Sequence, residues 1–297
     1  MSGCYDLHSH SRCSDGSLSP AELVRHAHAC GVDVLALTDH DTTAGIAEAR
    51  EAALESGIGL VPGVEISVTW VQRVIHVIGL GIDADCAPLQ AGLARLREVR
   101  RERAQAIADR LARCGIPGAL EGAETYAGAG GVGRNHFARF LVEQGCARDM
   151  QRAFKRYLGR SGSCYVASEW APLAEAVAWI RAAGGVAVVA HPARYAMTRS
   201  VMRRFLREFT AAGGGGIEVV SSSHDEQQAR RMADYAREFG LCASMGSDFH
   251  APENGWTVPG RLAALPRDCE PVWTRWPAVA IAQPADTRAD GARPLVQ

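Results

Sequence analysis

Histidine and carboxylate side chains follow or interrupt most of the apolar, β-branched runs of this sequence. His8 and His10 stand two residues apart at the end of the first run, and an extended chain puts both imidazoles on one face. Glu65 lies inside an apolar run, where an ionised and unpaired carboxylate would cost several kcal/mol of folding free energy. A cation is therefore expected beside it. Because imidazole and carboxylate groups are ligands for divalent first-row metals, these residues predict a metal site.

The same residue types recur along the chain next to runs that are typical of strands. Taken one at a time, each has an ordinary structural explanation, such as a hydrogen-bonded core histidine or an aspartate in a turn. Together they lie at the C-terminal ends of most predicted strands, which is where a β/α barrel builds its active site. The further members of this set are Asp15, His40, His76, His191, Asp248 and His250.

Seven apolar runs and the helical segments between them must position these side chains. Ser19, Pro20 and Glu22 form a helix start, with a capping box and a proline in the first turn. Helical periodicity follows over residues 43–56 and returns later over 173–183, 201–212 and 225–239. Strands separated mostly by helices favour an α/β fold, either a parallel sheet or a closed β/α barrel. The predicted strands are 4–8, 34–38, 60–66, 74–80, 186–190, 217–221 and 241–245.

The middle of the chain, from about residue 88 to 162, has a helical and strongly basic pattern. Residues 95–160 contain 14 Lys and Arg against 7 Asp and Glu, whereas the rest of the chain contains 18 against 26. Two explanations stay open: a solvated helical face, or an insert that attracts a phosphate-bearing substrate to the barrel mouth. We expect a discontinuous barrel over 1–94 and 163–285, a helical basic insert over 95–162, and a disordered tail over 286–297.

Composition narrows the class of protein. With 297 residues, of which 47% are hydrophobic, the chain can bury a large core, which excludes a mainly disordered protein. No run approaches the ~20 apolar residues of a membrane helix, and the first residues lack the basic and apolar regions of a signal peptide. The nine cysteines are dispersed without a C-x-x-C pair, which is typical of reduced thiols. We therefore expect a cytoplasmic protein that neither associates with a membrane nor requires an obligate protein partner.

The polar segments form an ordered series of motifs: Asp6-Leu7-His8-Ser9-His10, Ser14-Asp15-Gly16, Thr38-Asp39-His40-Asp41, Gly63-Val64-Glu65, His76, Ala190-His191-Pro192 and Gly246-Ser247-Asp248-Phe249-His250. Over about residues 4 to 252 this series resembles the PHP (polymerase and histidinol phosphatase) superfamily, and the resemblance implies a distorted seven-stranded β/α barrel. Residues 133–139 resemble the helical insert of the subgroup that includes the 3′,5′-nucleotide bisphosphate phosphatases, members of which also act as 5′-to-3′ exonucleases on short RNA. That family commonly has Arg-Pro-His where this chain has Arg134-Asn135-His136, so the resemblance gives Asn135 no role.

The resemblance also implies three divalent metal ions, with Mn²⁺ expected and Fe²⁺ or Zn²⁺ as alternatives. Nine residues would supply ten donor contacts, because Glu65 bridges two of the ions. Mixed imidazole and carboxylate donors without thiolate suit these metals better than a structural zinc. Asp6, Asp39 and Asp41 are expected to orient the imidazoles. The implied ligand sets are His8, His10, Glu65 and Asp248 for the first ion, Glu65, His76 and His191 for the second, and Asp15, His40 and His250 for the third.

Hydrolysis of a phosphate ester is the chemistry that this arrangement implies. A hydroxide bridging two of the ions would attack phosphorus in line, while the third ion binds a phosphoryl oxygen or the departing oxygen. Glu65, His191 and His250 are the candidate catalytic residues, and either histidine or a metal-bound water would protonate the leaving oxygen. The implied substrate is a nucleoside 3′,5′-bisphosphate, such as adenosine 3′,5′-bisphosphate, which gives a 5′-mononucleotide; short RNA is a second substrate. The expected substrate-binding residues are Arg134, Asn135, His136, Arg194 and Ser222.

Three other functions stay open. A histidinol-phosphate phosphatase or another PHP phosphoesterase is disfavoured by the basic insert, which suits a nucleotide or an oligonucleotide better. A non-catalytic module that binds phosphorylated metabolites or RNA is disfavoured by the complete ligand set, since one changed ligand would abolish catalysis and keep the fold. An amidohydrolase acting on C–N bonds would share the barrel and the metals, and only the density of arginines speaks against it.

Overall fold

The computed structural model describes residues 3–254 and 257–276, which form one mixed sheet with helices around it. The segment 286–297, predicted to be a disordered tail, lies outside the described residues. Each predicted strand is present, some with shifted ends, because Val, Ile and Leu pack well on a pleated and buried surface. The strands are β1 (Tyr5–Asp6), β2 (Val34–Leu37), β3 (Gly59–Trp70), β4 (Arg73–Leu80), β5 (Ala171–Pro172), β6 (Val186–Val189), β7 (Gly216–Ser221) and β8 (Cys242–Gly246).

The sheet closes almost completely into a barrel. Its strands follow the order β1-β2-β3-β4-β6-β7-β8, and the two-residue β5 pairs with β3 outside this path. Beyond the short β1, the Leu7 N–H donates to the Met245 carbonyl at 3.0 Å and the Asp248 N–H donates to the His8 carbonyl at 2.9 Å. The first and last strands are thus joined, and the prediction of a distorted seven-stranded barrel is confirmed.

One strand of the barrel runs against the direction of the others. β4 is antiparallel to both β3 and β6, whereas the other pairs are parallel. Val71 and Gln72 make the reversal, and their φ angles of 45° and 60° are those of a two-residue hairpin turn. His76 therefore lies in the N-terminal half of its strand, where its carbonyl accepts the Ala190 N–H just after β6. His76, which interrupts its apolar run as the sequence indicated, thus reaches the same end of the barrel as the residues that follow the parallel strands.

Most of the helices pack against the barrel and contribute one apolar face each to its core. The predicted capping box of the first helix is present: the Glu22 N–H donates to Ser19 Oγ at 3.2 Å, and the Ser19 N–H donates to Glu22 Oε2 at 2.8 Å. The helices are α1 (Pro20–Ala29), α2 (Ile46–Ser56), α3 (Ala87–Arg113), α4 (Ala119–Glu124), α5 (Arg134–Glu143), α6 (Met150–Ala153), α7 (Leu173–Ala182), α8 (Arg199–Ala211) and α9 (Glu226–Phe239). A π-helical turn, Phe154–Leu158, continues α6 directly.

The middle of the chain has a hydrophobic core of its own. Its buried residues include Ile107 on α3, Phe137 on α5 and Leu158 after α6, and none of these belongs to the barrel core. The 27-residue α3 connects the barrel to the helical insert. Leu93, near its start, packs in the barrel core, and Ile107, further along, packs in the core of the insert. The boundary expected at residue 95 therefore falls inside a continuous helix. In the part of the chain that the structure describes, no helix has both the length and the apolar character to span a membrane.

Candidate metal centre

The nine predicted ligand residues converge at one end of the barrel. Residues 8–10 and 248–250 run side by side beyond β1 and β8, where Ser9 and Phe249 form a bridge. The histidines at positions 8 and 10 are thereby brought next to Asp248 and His250. His40 follows β2 and is bridged to Glu65 in the middle of β3. The Asp248 and His191 backbones have positive φ angles of 55° and 29°, a conformation that costs of order 1–3 kcal/mol outside glycine. Such backbone strain at strand ends is typical of functional sites.

Glu65 is the central group of this cluster. Its carboxylate is fully buried, and five imidazoles surround it. Burial alone would raise the pKa of Glu65, but the neighbouring histidines, His76 first, hold it well below its usual range. Its shortest imidazole contacts are His40 Nδ1 at 2.9 Å, His76 Nδ1 at 3.0 Å, His191 Nε2 at 3.1 Å, His10 Nε2 at 3.3 Å and His8 Nε2 at 3.4 Å.

Two further carboxylates flank the cluster on either side. Asp248 Oδ1 lies 3.4 Å from His8 Nε2 and 3.3 Å from His10 Nε2, and its other oxygen accepts from Arg194 at 2.6 Å. Asp15 Oδ1 lies 3.3 Å from His250 Nε2. Histidines beside them hold the pKa of both carboxyl groups well below the usual range, although burial would raise it. Both groups are therefore ionised at neutral pH and available as ligands.

The donor atoms lie close enough to face common cations. His8 Nε2 and His10 Nε2 are 3.1 Å apart, a distance that allows a hydrogen bond between them or contact of both with one cation. Glu65 Oε2 and His40 Nδ1 are both buried and lie 2.9 Å apart without forming a hydrogen bond, and Asp15 Oδ1, 3.3 Å from His250 Nε2, also forms none. Three groups have donor atoms within 4.8 Å of one another: His8, His10 and Glu65; His40, Glu65 and His76; and His10, Asp15, His40 and His250. This donor set suits divalent metal ions.

These groups overlap the ligand sets implied by the resemblance without matching them fully. The second implied set joins Glu65 and His76 with His191, whereas the compact group contains His40 in that place. His191 Nε2 is nevertheless 3.1 Å from Glu65 Oε1. His40 lies between two groups, because Nδ1 faces Glu65 and Nε2 is 3.8 Å from Asp15 Oδ2.

The charges within the cluster divide the histidines into two classes. Burial would lower the pKa of His250, but Asp15 and Asp248 raise it to about 10. His10 behaves in the opposite way: burial, and then the adjacent His250, lower its pKa to about 3. In the metal-free protein at neutral pH, one imidazole therefore carries a proton and its neighbour does not.

A buried glutamate that the sequence argument missed orients two of the histidines. Glu218 Oε1 lies 2.8 Å from His8 Nδ1, and its other oxygen accepts the backbone N–H of His191. This contact leaves His8 Nε2 free to face the centre, which is the usual way in which a carboxylate fixes a metal-ligating imidazole. The signal was available, since Glu218 interrupts the apolar run of β7 as Glu65 interrupts β3.

The three aspartates expected to orient imidazoles form hydrogen bonds with backbone N–H groups, serine hydroxyls or an arginine instead. Asp6 accepts the backbone N–H groups of Ser247 at 2.8 Å and Gly260 at 2.9 Å. Asp39 accepts from the Ser11 backbone and from the hydroxyls of Ser11 and Ser14, and the Ser14 hydroxyl lies 3.5 Å from His10 Nδ1. Their direct role is to fix loop backbone, because strand ends leave N–H groups that need acceptors.

The third of these aspartates, Asp41, ties the long helix α3 to the barrel. Its carboxylate accepts the Ser67 N–H at 2.8 Å and also pairs with the Arg100 guanidinium. The expectation that Asp41 orients an imidazole was therefore wrong.

A cavity of about 1020 Å³ lies over the cluster, between the barrel and the helical insert. Arg134, Asn135 and Arg194, three of the predicted substrate-binding residues, line it. Ser222 is not part of the lining. His136 is also outside it: the residue is only 1% exposed, and its Nδ1 accepts the Gly133 N–H at 2.9 Å at the start of α5. We correct the assignment of His136 accordingly, because a buried helix cap cannot contact a ligand in the cavity, whereas the role of Ser222 stays a prediction.

Two arginines of α3 that the sequence analysis did not single out also line this cavity, next to Arg134; these three arginines are called its roof below. Arg100 and Arg103 both line it, and their guanidinium carbons lie 5.1 and 5.5 Å from the Trp170 ring. Burial, together with the charges of Arg134 and Arg100, lowers the pKa of Arg103 to about 9. Arg100 also pairs with Asp41, so Arg103 and Arg134 are the arginines of this part of the lining that suit a ligand with more than one anionic group.

Comparison with known proteins places the chain among relatives of known class. The family model described as the PHP domain matches residues 6–118. The chain is 46% identical to the 3′,5′-nucleoside bisphosphate phosphatase of Chromobacterium violaceum over 95% of this chain and 99% of that protein. It is also 46% identical to the 5′-3′ exoribonuclease of Haemophilus influenzae, over 93% of this chain and all of that protein (100%).

Two solved structures are similar over most of the chain. A Chromobacterium violaceum structure, named an amidohydrolase and solved with sulfate and no metal, is 45% identical with a TM-score of 0.91, over 95% of this chain and 99% of that one. A Bifidobacterium adolescentis chain, assigned as a metal-dependent phosphoesterase, is 27% identical with a TM-score of 0.78, over 91% of this chain and 96% of that one.

Proposed function

The chain belongs to the PHP-domain family and is a phosphoric ester hydrolase, and we propose that it removes the 3′-phosphate of nucleoside 3′,5′-bisphosphates. The products are a 5′-mononucleotide and inorganic phosphate. Adenosine 3′,5′-bisphosphate is the expected representative, and short RNA degraded from its 5′ end is the second substrate. The observation that carries the proposal is one cavity lined both by residues of the imidazole and carboxylate cluster and by Arg100, Arg103 and Arg134.

A substrate with two phosphates suits both sides of this cavity. The 3′-phosphate belongs at the cluster, where Arg194 reaches Asp248 from the more exposed side. The 5′-phosphate belongs under the arginines of α3 and α5, because guanidinium groups bind phosphate oxygens through two parallel hydrogen bonds. A substrate held at both ends keeps its reacting phosphorus in one place, which favours in-line attack.

We further propose that the cluster holds three divalent ions, with Mn²⁺ as the expected metal. The proposed ligands are the nine residues of the cluster, with Glu65 shared between two ions. When bound, such ions supply a nucleophile at neutral pH and neutralise charge on the phosphoryl oxygens. The unpartnered oxygens of Asp15 and Glu65 and the facing nitrogens of His8 and His10 support this proposal.

Glu65, His191 and His250 are the proposed catalytic residues. Glu65 lies at the centre, where its carboxylate would join two ions. His250 Nδ1 is 2.8 Å from the Asp248 carbonyl oxygen, and a proton held there leaves Nε2 directed at Asp15. His191 has a buried Nδ1 without a partner. One of these imidazoles is our candidate for the group that delivers a proton to the departing oxygen.

Two competing functions fit the cavity less well. Histidinol phosphate carries one phosphate and an ammonium group, and the arginine-lined roof would repel that cation. A binding module without activity would not need the donors of the cluster to be complete. The cytoplasm is the compartment we propose, since all nine cysteines lie among the described residues and are free thiols there.

The test compares hydrolysis of four substrates in the presence of Mn²⁺ and in the presence of a chelator. Phosphate release is measured for the three small substrates, and chain length is measured for the RNA. Adenosine 3′,5′-bisphosphate should release phosphate only with the metal, and faster than adenosine 3′-monophosphate. A 5′-phosphorylated short RNA should be shortened under the same conditions, and histidinol phosphate should react slowly. A faster reaction with histidinol phosphate, or equal rates with and without the chelator, would exclude the proposal.

A further inference from the structure

A second cavity, of about 550 Å³, lies on the insert outside the site described above. Its lining is basic: Arg148, Arg152, Lys155 and Arg156 surround it, together with Cys146 and Ala147. All four basic residues are exposed, and Lys155 is the only lysine of the chain. None of these residues lines the cavity over the metal cluster.

The two cavities lie on opposite faces of one short helical segment. Met150, Gln151 and Phe154, on α6 and its π-helical turn, line the cavity over the cluster, whereas the basic residues of the same segment line the second cavity. This division follows the helical period only in part: Gln151 and Phe154 share one face and Arg152 and Arg156 another, while Lys155, four residues after Gln151, lies between the two. The distance between the cavities is therefore about one helix diameter, roughly 10–12 Å.

Most of the positive charge in the second cavity is not neutralised by the protein. Asp149 is its acidic neighbour, and that carboxylate is already engaged: it accepts the Arg152 backbone N–H at 2.7 Å and lies 3.2 Å from Arg148 Nε. Over residues 3–254 and 257–276, no acidic side chain forms an ion pair with Arg152, Lys155 or Arg156. Three free cations around one concave surface are suited to a polyanion.

We propose that the second cavity binds the sugar–phosphate backbone of an RNA strand whose 5′ end occupies the cavity over the cluster. The inference rests on the proposed RNA substrate and extends it, because a mononucleotide is too short to reach across the helix. A strand that crosses α6 meets Phe154, whose partly buried ring faces the first cavity with the Arg134 guanidinium 5.7 Å from it. Proteins that bind single strands combine such aromatic groups with a basic groove that follows the backbone.

The direct test is binding of a labelled, 5′-phosphorylated oligoribonucleotide of about eight nucleotides, measured by fluorescence anisotropy under chelator. The test variant is R152Q/K155Q/R156Q, and the matched control is R50Q/R199Q/R207Q, which removes three exposed arginines from the outside of the barrel. The test variant should bind about tenfold to a hundredfold more weakly at 0.1 M salt, and its salt dependence should fall by about two logarithmic units per decade of salt. The control should bind like the unchanged protein.

Hydrolysis provides the second measurement. In the presence of Mn²⁺, the test variant should have a raised KM for the oligonucleotide, while kcat/KM for adenosine 3′,5′-bisphosphate stays within about twofold, because a free nucleotide does not reach the second cavity. Equal RNA affinity and equal salt dependence in the two variants would overturn the inference. If the unchanged protein binds RNA through this cavity but does not shorten it, the proposed exonuclease activity fails and the inference stands.

Discussion

The Asn135 side-chain amide donates a hydrogen bond to Asp15 Oδ2, at 2.5 Å. Asn135 lies in the first turn of α5, in the helical insert, whereas Asp15 lies in the loop between β1 and α1 of the barrel. The contact therefore joins the insert to the barrel at the imidazole and carboxylate cluster itself. It leaves Asp15 Oδ1 without a hydrogen-bond partner and directed toward the histidines. An amide donor at this point fixes which carboxylate oxygen is available as a ligand.

The variant Asn135→Leu should lose metal. Leucine has a similar shape but no donor, so Asp15 can rotate and hold an ion less firmly. We expect an affinity loss of about tenfold for one ion of the cluster, measured as metal content after dialysis against a graded chelator. Gln144→Leu, at an exposed amide at the end of the same helix, is the control. Identical metal content in both variants would show that the amide does not position the carboxylate.

Glu218→Gln should weaken metal binding more than Asp39→Asn does. Glu218 contacts His8 Nδ1 directly, while Asp39 contacts serine groups and the loop backbone. Glu218 now accepts hydrogen bonds from two N–H donors, and a glutamine would place its own N–H group against one of them. We therefore expect a tenfold to hundredfold loss of metal affinity, which is about the effect of removing the carboxylate that supports a metal ligand. Asp39→Asn should mainly lower Tm. Metal titration and thermal unfolding of both proteins distinguish these effects, and a reversed order would refute the role of Glu218.

Metal binding should release protons and should weaken as pH falls. The pKa of His250 is raised to about 10, and those of His8 and His40 are raised as well, because carboxylates adjoin them against the opposing effect of burial. His250 is therefore protonated at neutral pH in the metal-free protein, and the raised pKa values of His8 and His40 favour their protonated forms; each must lose its proton to become a ligand. Affinity for Mn²⁺ should therefore drop about tenfold per pH unit for each proton released. Calorimetry in two buffers of different ionisation enthalpy counts the protons, and a count of zero would contradict this account.

Arg134→Ala should affect the bisphosphate more than the monophosphate. Arg134 lines the cavity over the cluster, where the proposed 5′-phosphate binds. Loss of a charged hydrogen bond of ~1.5–3 kcal/mol predicts a fall of about tenfold to a hundredfold in kcat/KM for adenosine 3′,5′-bisphosphate. Adenosine 3′-monophosphate should change little. Arg113→Ala, at the exposed end of α3, is the control, and equal losses on both substrates would remove Arg134 from this role.

The strands and the cluster could be predicted because each depends on local pattern. Apolar, β-branched runs mark a buried strand wherever it pairs, and a polar residue at the end of such a run has few structural reasons to be there. The antiparallel direction of β4 could not be predicted in this way, because its turn uses Val71 and Gln72 instead of the glycine or asparagine that marks a two-residue hairpin.

The roof of the cavity was also beyond the reach of sequence pattern. Arg100 and Arg103 face the cavity, but Arg101 between them is exposed and pairs with Glu98 on the same helix. All three belong to the same basic stretch, and only the packing of α3 against Trp170 separates the buried guanidinium groups from the solvated one. Asn135 was singled out by its motif, yet its contact with Asp15 spans 120 positions and depends on how the insert folds back.

The joining of the first and last strands governs when the cluster can exist. His8 leaves the ribosome early in synthesis, but the strand beside it and the Asp248 and His250 groups that follow are made about 240 positions later. A nascent chain therefore lacks two of the nine proposed ligands until translation has passed position 250. Synthesis of nearly the whole barrel thus precedes assembly of the complete ligand set.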